Sequence, residues 1–110
     1  MRRVDEAMRQ VLGDALAQDL KDPRIGFVTV TEVKTSPDLR HARVYVSVLG
    51  DAGAQAATLD GLQSAHGFLQ GRVAGELRLK RTPELRFELD VTAQRAARLE
   101  RLIEEELGRP

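Results

Sequence analysis

The sequence predicts a single α+β domain spanning residues 1–110, with elements in the order α-β-β-α-α-β-α and a three-stranded sheet carrying its helices on one face. Three observations carry this prediction. An apolar stripe of helical period lies near the N-terminus, two β-branched runs are joined by turn residues, and a glycine-interrupted helical stretch leads into a short third run of alternating character.

Taken in order, residues 3–21 place Val4, Met8, Val11, Leu12, Ala15, Leu16 and Leu20 at spacings of three and four among charged and polar residues, which is one face of an amphipathic helix. Asp22-Pro23 should stop it, because proline disfavours helical geometry in the residue before it and has no amide to donate. Val28, Thr29, Val30, Thr31 and Val33 read as a strand within 26–35, and Ser36-Pro37-Asp38 is turn chemistry. From Arg40 to Leu49, Ala42, Val44, Val46 and Val48 alternate with His41, Arg43, Tyr45 and Ser47, so the two runs should form an antiparallel hairpin with one buried face.

Gly50-Asp51-Ala52-Gly53 ends the second strand, and a helical pattern resumes over 55–79 through Ala57, Leu62, Ala65, Leu69, Val73 and Leu77. Gly61, Gly67, Gly71 and Gly75 each cost a helix roughly 1 kcal/mol against alanine, and Ala65-His66-Gly67 is where a bend should split the segment in two. Thr82-Pro83 closes the second helix, Leu85, Phe87 and Leu89 alternate as a third strand, and Ala96, Leu99, Leu102, Ile103 and Leu107 mark a last helix over 92–107. Phe27, Phe68 and Phe87 are expected in the core.

Composition narrows the function. Of 110 residues, 42% are hydrophobic and 31% charged, which is ordinary for a chain that folds by itself. The N-terminus lacks the apolar stretch of a signal peptide, so a cytoplasmic location is expected. With no cysteine there is no disulfide framework and no thiolate metal site. Two distant histidines, and no phosphate-binding Gly-rich loop, His-Glu-x-x-His or Gly-x-Ser-x-Gly motif, leave no recognised catalytic constellation. A non-enzymatic binder without metal or cofactor is expected.

Seventeen basic residues balance seventeen acidic ones, whereas a nucleic-acid binder usually carries a positive excess. The charge is uneven, however. Residues 72–86 hold five basic residues against two acidic, and residues 24–43 hold four against two.

Beyond topology, Arg3-Val4-Asp5-Glu6, Asp22-Pro23-Arg24, the run from Val28 to Val33, Asp38 through Ser47, Ala65-His66-Gly67-Phe68 and Arg81 through Phe87 together resemble the ribosome-binding factor A family over nearly the whole chain. The element order resembles the bacterial-type (type II) KH fold, an RNA-binding architecture that usually clamps the nucleic-acid backbone with Gly-x-x-Gly between two helices. Here the only Gly-x-x-Gly, Gly50 to Gly53, sits between strand and helix and contains Asp51, which repels phosphate; the helix break carries Ala-x-Gly instead, as the family does. The resemblance implies a non-catalytic ribosome assembly factor: binding to the free, immature small (30S) subunit, support for late maturation and processing of 16S rRNA from its precursor, importance in the cold, and release before translation. It implies no membrane and no small-molecule substrate; a monomer is expected.

The candidate RNA contacts are the break Ala65, His66 and Gly67, the cations Arg72, Arg78, Lys80 and Arg81, and Arg40 and Arg43 at the hairpin. Cation count dominates phosphate contact, and the guanidinium fork grips two oxygens. The plain alternative is that some of these pair with Glu76 or Glu84, and Arg40 or Arg43 across strands with Glu32. Tyr45 is the only tyrosine and tryptophan is absent, so recognition should rest on shape and phosphate rather than on aromatic stacking. The rival reading is a KH-like protein-interaction module whose partner is not RNA, which zero net charge favours.

Overall fold

A computed structural model describes residues 2–92 of the chain. The elements are α1 (Arg2–Gln18), β1 (Val28–Thr35), β2 (His41–Val48), α2 (Ala52–Ser64), α3 (His66–Leu77) and β3 (Glu84–Leu89). The helix expected over 92–107 falls, beyond its first residue, outside the described residues.

α1 forms on the expected stripe, with Met8, Val11, Leu12, Ala15 and Leu16 buried. It ends at Gln18, before the proline, as the Leu20 amide reaches back to the Ala15 carbonyl and turns the chain. β1 and β2 form the antiparallel hairpin, and β3 adds beside β2 in parallel, giving the order β1-β2-β3. Val30, Val33, Ala42, Val44, Val46, Val48 and Leu85 point to the core shared with α1, Leu62, Leu69 and Val73, while Arg43 and Arg86 stay exposed on the other face.

β1 is irregular where its sequence breaks period two. Val30 and Val33 are both buried although three apart, and a bulge between Val30 and Glu32 leaves Thr31 without a partner across the ladder. The extra residue restores the inward direction for Val33. Thr31 uses its freedom: its hydroxyl donates to Asp90 Oδ2 at 2.7 Å, with the Tyr45 carbonyl at 3.2 Å. One further tie holds α1 to the sheet, since Asp5 Oδ1 accepts from the Thr35 amide at 3.1 Å and from its hydroxyl at 2.5 Å.

The bend falls on one residue. Ala65 (φ −87°, ψ 5°) closes α2 through its amide to the Gly61 carbonyl and opens α3 by accepting from Leu69. α3 stops at Leu77, earlier than expected, because Arg78 takes a left-handed conformation (φ 47°). Phe27 and Phe68 are corrections to the expected core, at 81% and 46% exposed. Phe27 precedes the first paired residue of β1, its backbone held by the Leu49 amide while its side chain stays on the surface, and Phe68 sits one position off the buried Leu69–Val73 stripe.

The helical glycines divide into two kinds. A Cβ at Gly61 would meet Ile25 Cγ1 at 2.6 Å, and the loop carrying Ile25 is tied to α2 by the buried Thr58, whose hydroxyl donates to the Arg24 carbonyl at 3.3 Å. At Gly71 and Gly75 a Cβ would meet nothing within 4 Å. Gly71→Ala and Gly75→Ala should each raise stability by roughly 0.5–1 kcal/mol, whereas Gly61→Ala should gain nothing or lose stability through overpacking. Urea unfolding of the three variants checks this; a stabilised Gly61→Ala would contradict the close packing of Ile25.

Candidate nucleic-acid interface

The candidate cations separate by what they already hold. Arg72, half-buried on α3, bridges two acids: it pairs with Asp19 just past the end of α1 and, at 2.9 Å, with Glu76 one turn on. Asp19 first and Glu76 second raise its affinity for its proton. It fastens α3 to α1, and a phosphate would have to displace both carboxylates.

Arg78, Lys80 and Arg81 are different. They lie on the loop from α3 to β3, and none makes an ion pair or side-chain hydrogen bond among the described residues. Arg40 joins them at the same end of the sheet, because the Glu84 amide donates to the Arg40 carbonyl at 2.8 Å. Its own ion pair is loose, 4.0 Å from Nε to Asp38 Oδ2 with both side chains largely exposed. Four cations from two loops therefore lie toward one end of the sheet, where the nearby acids are Asp38, loosely against Arg40, and Glu84, whose Oε2 lies 3.9 Å from His41 Nδ1. The Asp38 carboxyl is held below its usual range by the Ser36 hydroxyl first, then by the Arg40 amide, so it stays ionised.

Arg43 lies on the open sheet face. Its neighbour across the hairpin is Lys34, not Glu32, because the register set at the turn, Thr35 opposite Ala42, runs unbroken to Glu32 opposite Tyr45. Its neighbour on β3 is Arg86. Lys34, Arg43 and Arg86 thus form a basic row across all three strands, beside a row of Glu32, Tyr45 and Glu88. Like charges directly opposite one another are destabilising, and the adjacent row offsets this, since Tyr45 first and then Glu88 raise the affinity of Arg43 for its proton. Lys34 Nζ lies 3.9 Å from Glu32 and 5.8 Å from the Tyr45 ring centre. The row lines a shallow depression of about 320 Å³ with Thr35, Ser36 and His41.

The helix break serves the edge strand. β3 is at the margin of the sheet, and among the described residues the backbone groups on its outer side have no strand to pair with. His66 Nε2 lies 3.1 Å from the Leu85 carbonyl and donates to it, while Gln70 Oε1 accepts from the Leu85 amide at 3.1 Å and Gln70 Nε2 donates to the Pro83 carbonyl at 2.6 Å. Both residues stand in for a missing strand. Gly67 is exposed, and a Cβ placed there would meet nothing within 4 Å. Asp51 in the Gly-x-x-Gly caps α2, accepting from the Ala54 amide at 2.8 Å.

Sequence reasoning missed Gln70, Lys34 and Arg86. Gln70 carries no signal of its own, since a polar residue beside a buried Leu69 reads as helix surface. Lys34 and Arg86 share the polar phase of their strands with Arg43, but the register that aligns them was not visible.

An α-β-β-α-α-β domain with a one-residue helix break and no Gly-x-x-Gly between its helices is KH-like in architecture with an altered clamp. Comparison with known proteins gives the family. The family model for ribosome-binding factor A matches residues 1–103. A ribosome-binding factor A of Halorhodospira halophila is 50% identical over 105 residues, covering 94% of this chain and 83% of that protein. Among solved structures, the solution structure of a Thermotoga maritima protein described as a ribosome binding factor A superposes with a TM-score of 0.72 at 39% identity, covering 79% of this chain and 83% of that one. The crystal structure of ribosome-binding factor A from Thermus thermophilus gives 0.70 at 28% identity, covering 80% and 93%. A Thermus thermophilus homology model fitted into a cryo-EM map of a complex with the 30S subunit gives 0.64 at 30% identity, covering 79% and 91%. This chain belongs to the ribosome-binding factor A family.

Proposed function

We propose that this chain is a non-catalytic assembly factor that binds the immature small ribosomal subunit in the cytoplasm and promotes late maturation of its 16S rRNA, acting as a monomer without metal, cofactor or small-molecule substrate. The observation that carries it is the convergence of Arg40, Arg78, Lys80 and Arg81, without strong acidic partners among the described residues, at one end of the sheet. Unspent cations on two loops suit a phosphate backbone, and the Arg43 row extends the same charge onto the open face. The complex of the Thermus relative with the 30S subunit supports the choice of partner. In this reading His66 holds the edge strand and hence the loop before it, Ala65 sets the bend that aims it, Gly67 leaves the surface of the break open, and Arg72 secures α3 behind them.

Co-sedimentation with purified immature small subunits over a salt series tests the proposal. Affinity should fall steeply with salt, because each neutralised phosphate releases condensed counterions. Affinity that is indifferent to salt would favour the rival, a KH-like interaction module with a partner other than RNA. In cells, loss of the protein should leave unprocessed small-subunit rRNA, most visibly at low temperature.

A further inference from the structure

Between the start of α1, the hairpin turn and the loop before β3 lies an apolar slot of about 300 Å³, lined by Val4, Asp38, Leu39, Leu79, Lys80, Arg81 and Pro83. It shares no residue with the helix break. Pro83 is buried, so the slot has an apolar floor, and Val4, Leu39 and Leu79 add aliphatic walls while two cations stand at its rim.

The backbone on either side is strained. Leu39 and Arg78 are the non-glycine residues with positive φ among the described residues, at 60° and 47°. The left-handed conformation costs a side chain with a Cβ roughly 1 kcal/mol or more, and a bulky leucine is an unusual occupant of a turn position that glycine or asparagine fills freely. Strain of this kind is concentrated at binding sites. At Leu39 it turns an apolar side chain into the slot wall, and at Arg78 it ends α3 so that Leu79, Lys80 and Arg81 come round to the other wall and rim.

We propose that this slot holds a single unstacked base of the rRNA, its faces against Leu39, Leu79 and Pro83, with Lys80 and Arg81 on the phosphates that flank it. The inference rests on the RNA-binding reading above and adds to it a non-ionic contact. Two features favour a base over an apolar side chain of a protein. The rim is cationic, as a nucleotide's phosphates require, and Asp38, ionised beside the slot, suits the amino or imino hydrogens on a base edge. Aliphatic walls supply less than an aromatic platform would, so one base should contribute about tenfold in affinity.

Leu39→Asn and Leu79→Ser provide the test, with immature small subunits as the probe. Asparagine accepts the left-handed turn, so Leu39→Asn should fold normally, and urea unfolding establishes this. Each variant should bind about tenfold more weakly with the slope of affinity against salt unchanged, since no cation has been removed. A cross-linker on a cysteine placed by Leu39→Cys should attach to rRNA. Unchanged affinity in both folded variants, a reduced salt slope, or cross-linking only to a ribosomal protein would overturn the proposal and leave the assembly-factor reading standing. Failure of the unaltered protein to bind subunits would overturn both.

Discussion

Reversing Arg40, Arg78, Lys80 and Arg81 to Glu together should lower affinity for immature small subunits by at least about 100-fold and reduce the salt slope by roughly one unit for each phosphate no longer neutralised. The fold should survive, because the four side chains lie on loops and engage no stronger partner among the described residues than Asp38 at 4.0 Å. Surface substitutions away from cores and caps usually change stability by less than about 0.5 kcal/mol each, and Arg78, the left-handed cap of α3, adds up to about 1 kcal/mol for an acid at a helix C-terminus. Arg9→Glu is the matched control: that guanidinium is already held by Glu6 on the same helix, away from the converging loops. Co-sedimentation reads the result. If the control abolishes binding and the fourfold variant does not, the interface lies on α1 instead.

Gln70→Ala should cost about 1–3 kcal/mol of stability and weaken subunit binding several-fold, although Gln70 touches no candidate cation. Its amide satisfies the Leu85 N–H and the Pro83 carbonyl at once, in a partly buried position where water replaces neither bond well. Removing it frees both ends of the turn that leads from Lys80 and Arg81 into β3. Urea unfolding measures the first effect, and amide exchange at Leu85 should quicken in step. Full stability in Gln70→Ala would mean that His66 alone secures the strand.

Much of the fold was legible because periodicity reports burial directly. The α1 stripe, the alternation of β2 and the break at Ala65 are local patterns, and each appears where the residues place it. What escaped reading depends on neighbours remote in sequence. The end of α1 at Gln18 is fixed by the turn that returns the chain toward the sheet, and the exposure of Phe27 by the path of the 22–27 loop, which turns Ile25 toward α2 and leaves Phe27 on the surface. The phase change between Val30 and Val33 was present in the sequence as the mark of a bulge; that Arg43 faces Lys34 and Tyr45 faces Glu32 emerged only with the register set at the turn.

The candidate site divides along the same line. Basic residues at 78, 80 and 81 were visible as a charged stretch, but Arg72 belongs to that stretch by sequence and to an Asp19–Glu76 bridge in space. Only pairing separates spent cations from unspent ones, and pairing needs the third dimension.

The parallel joining of β3 to β2 bears on when the protein becomes competent to bind. The β1–β2 hairpin closes over a short turn, whereas His41 meets Glu84 only after both crossover helices have been laid down. Pairings that close long loops form late, since their entropy must be lost before their favourable interactions are gained. Arg40 emerges with the hairpin, and Arg78, Lys80 and Arg81 come alongside it only when β3 docks. The four charges are scattered along a nascent or partly folded chain and come to one end of the sheet only upon completion, so if they form the proposed interface, an unfinished molecule lacks it.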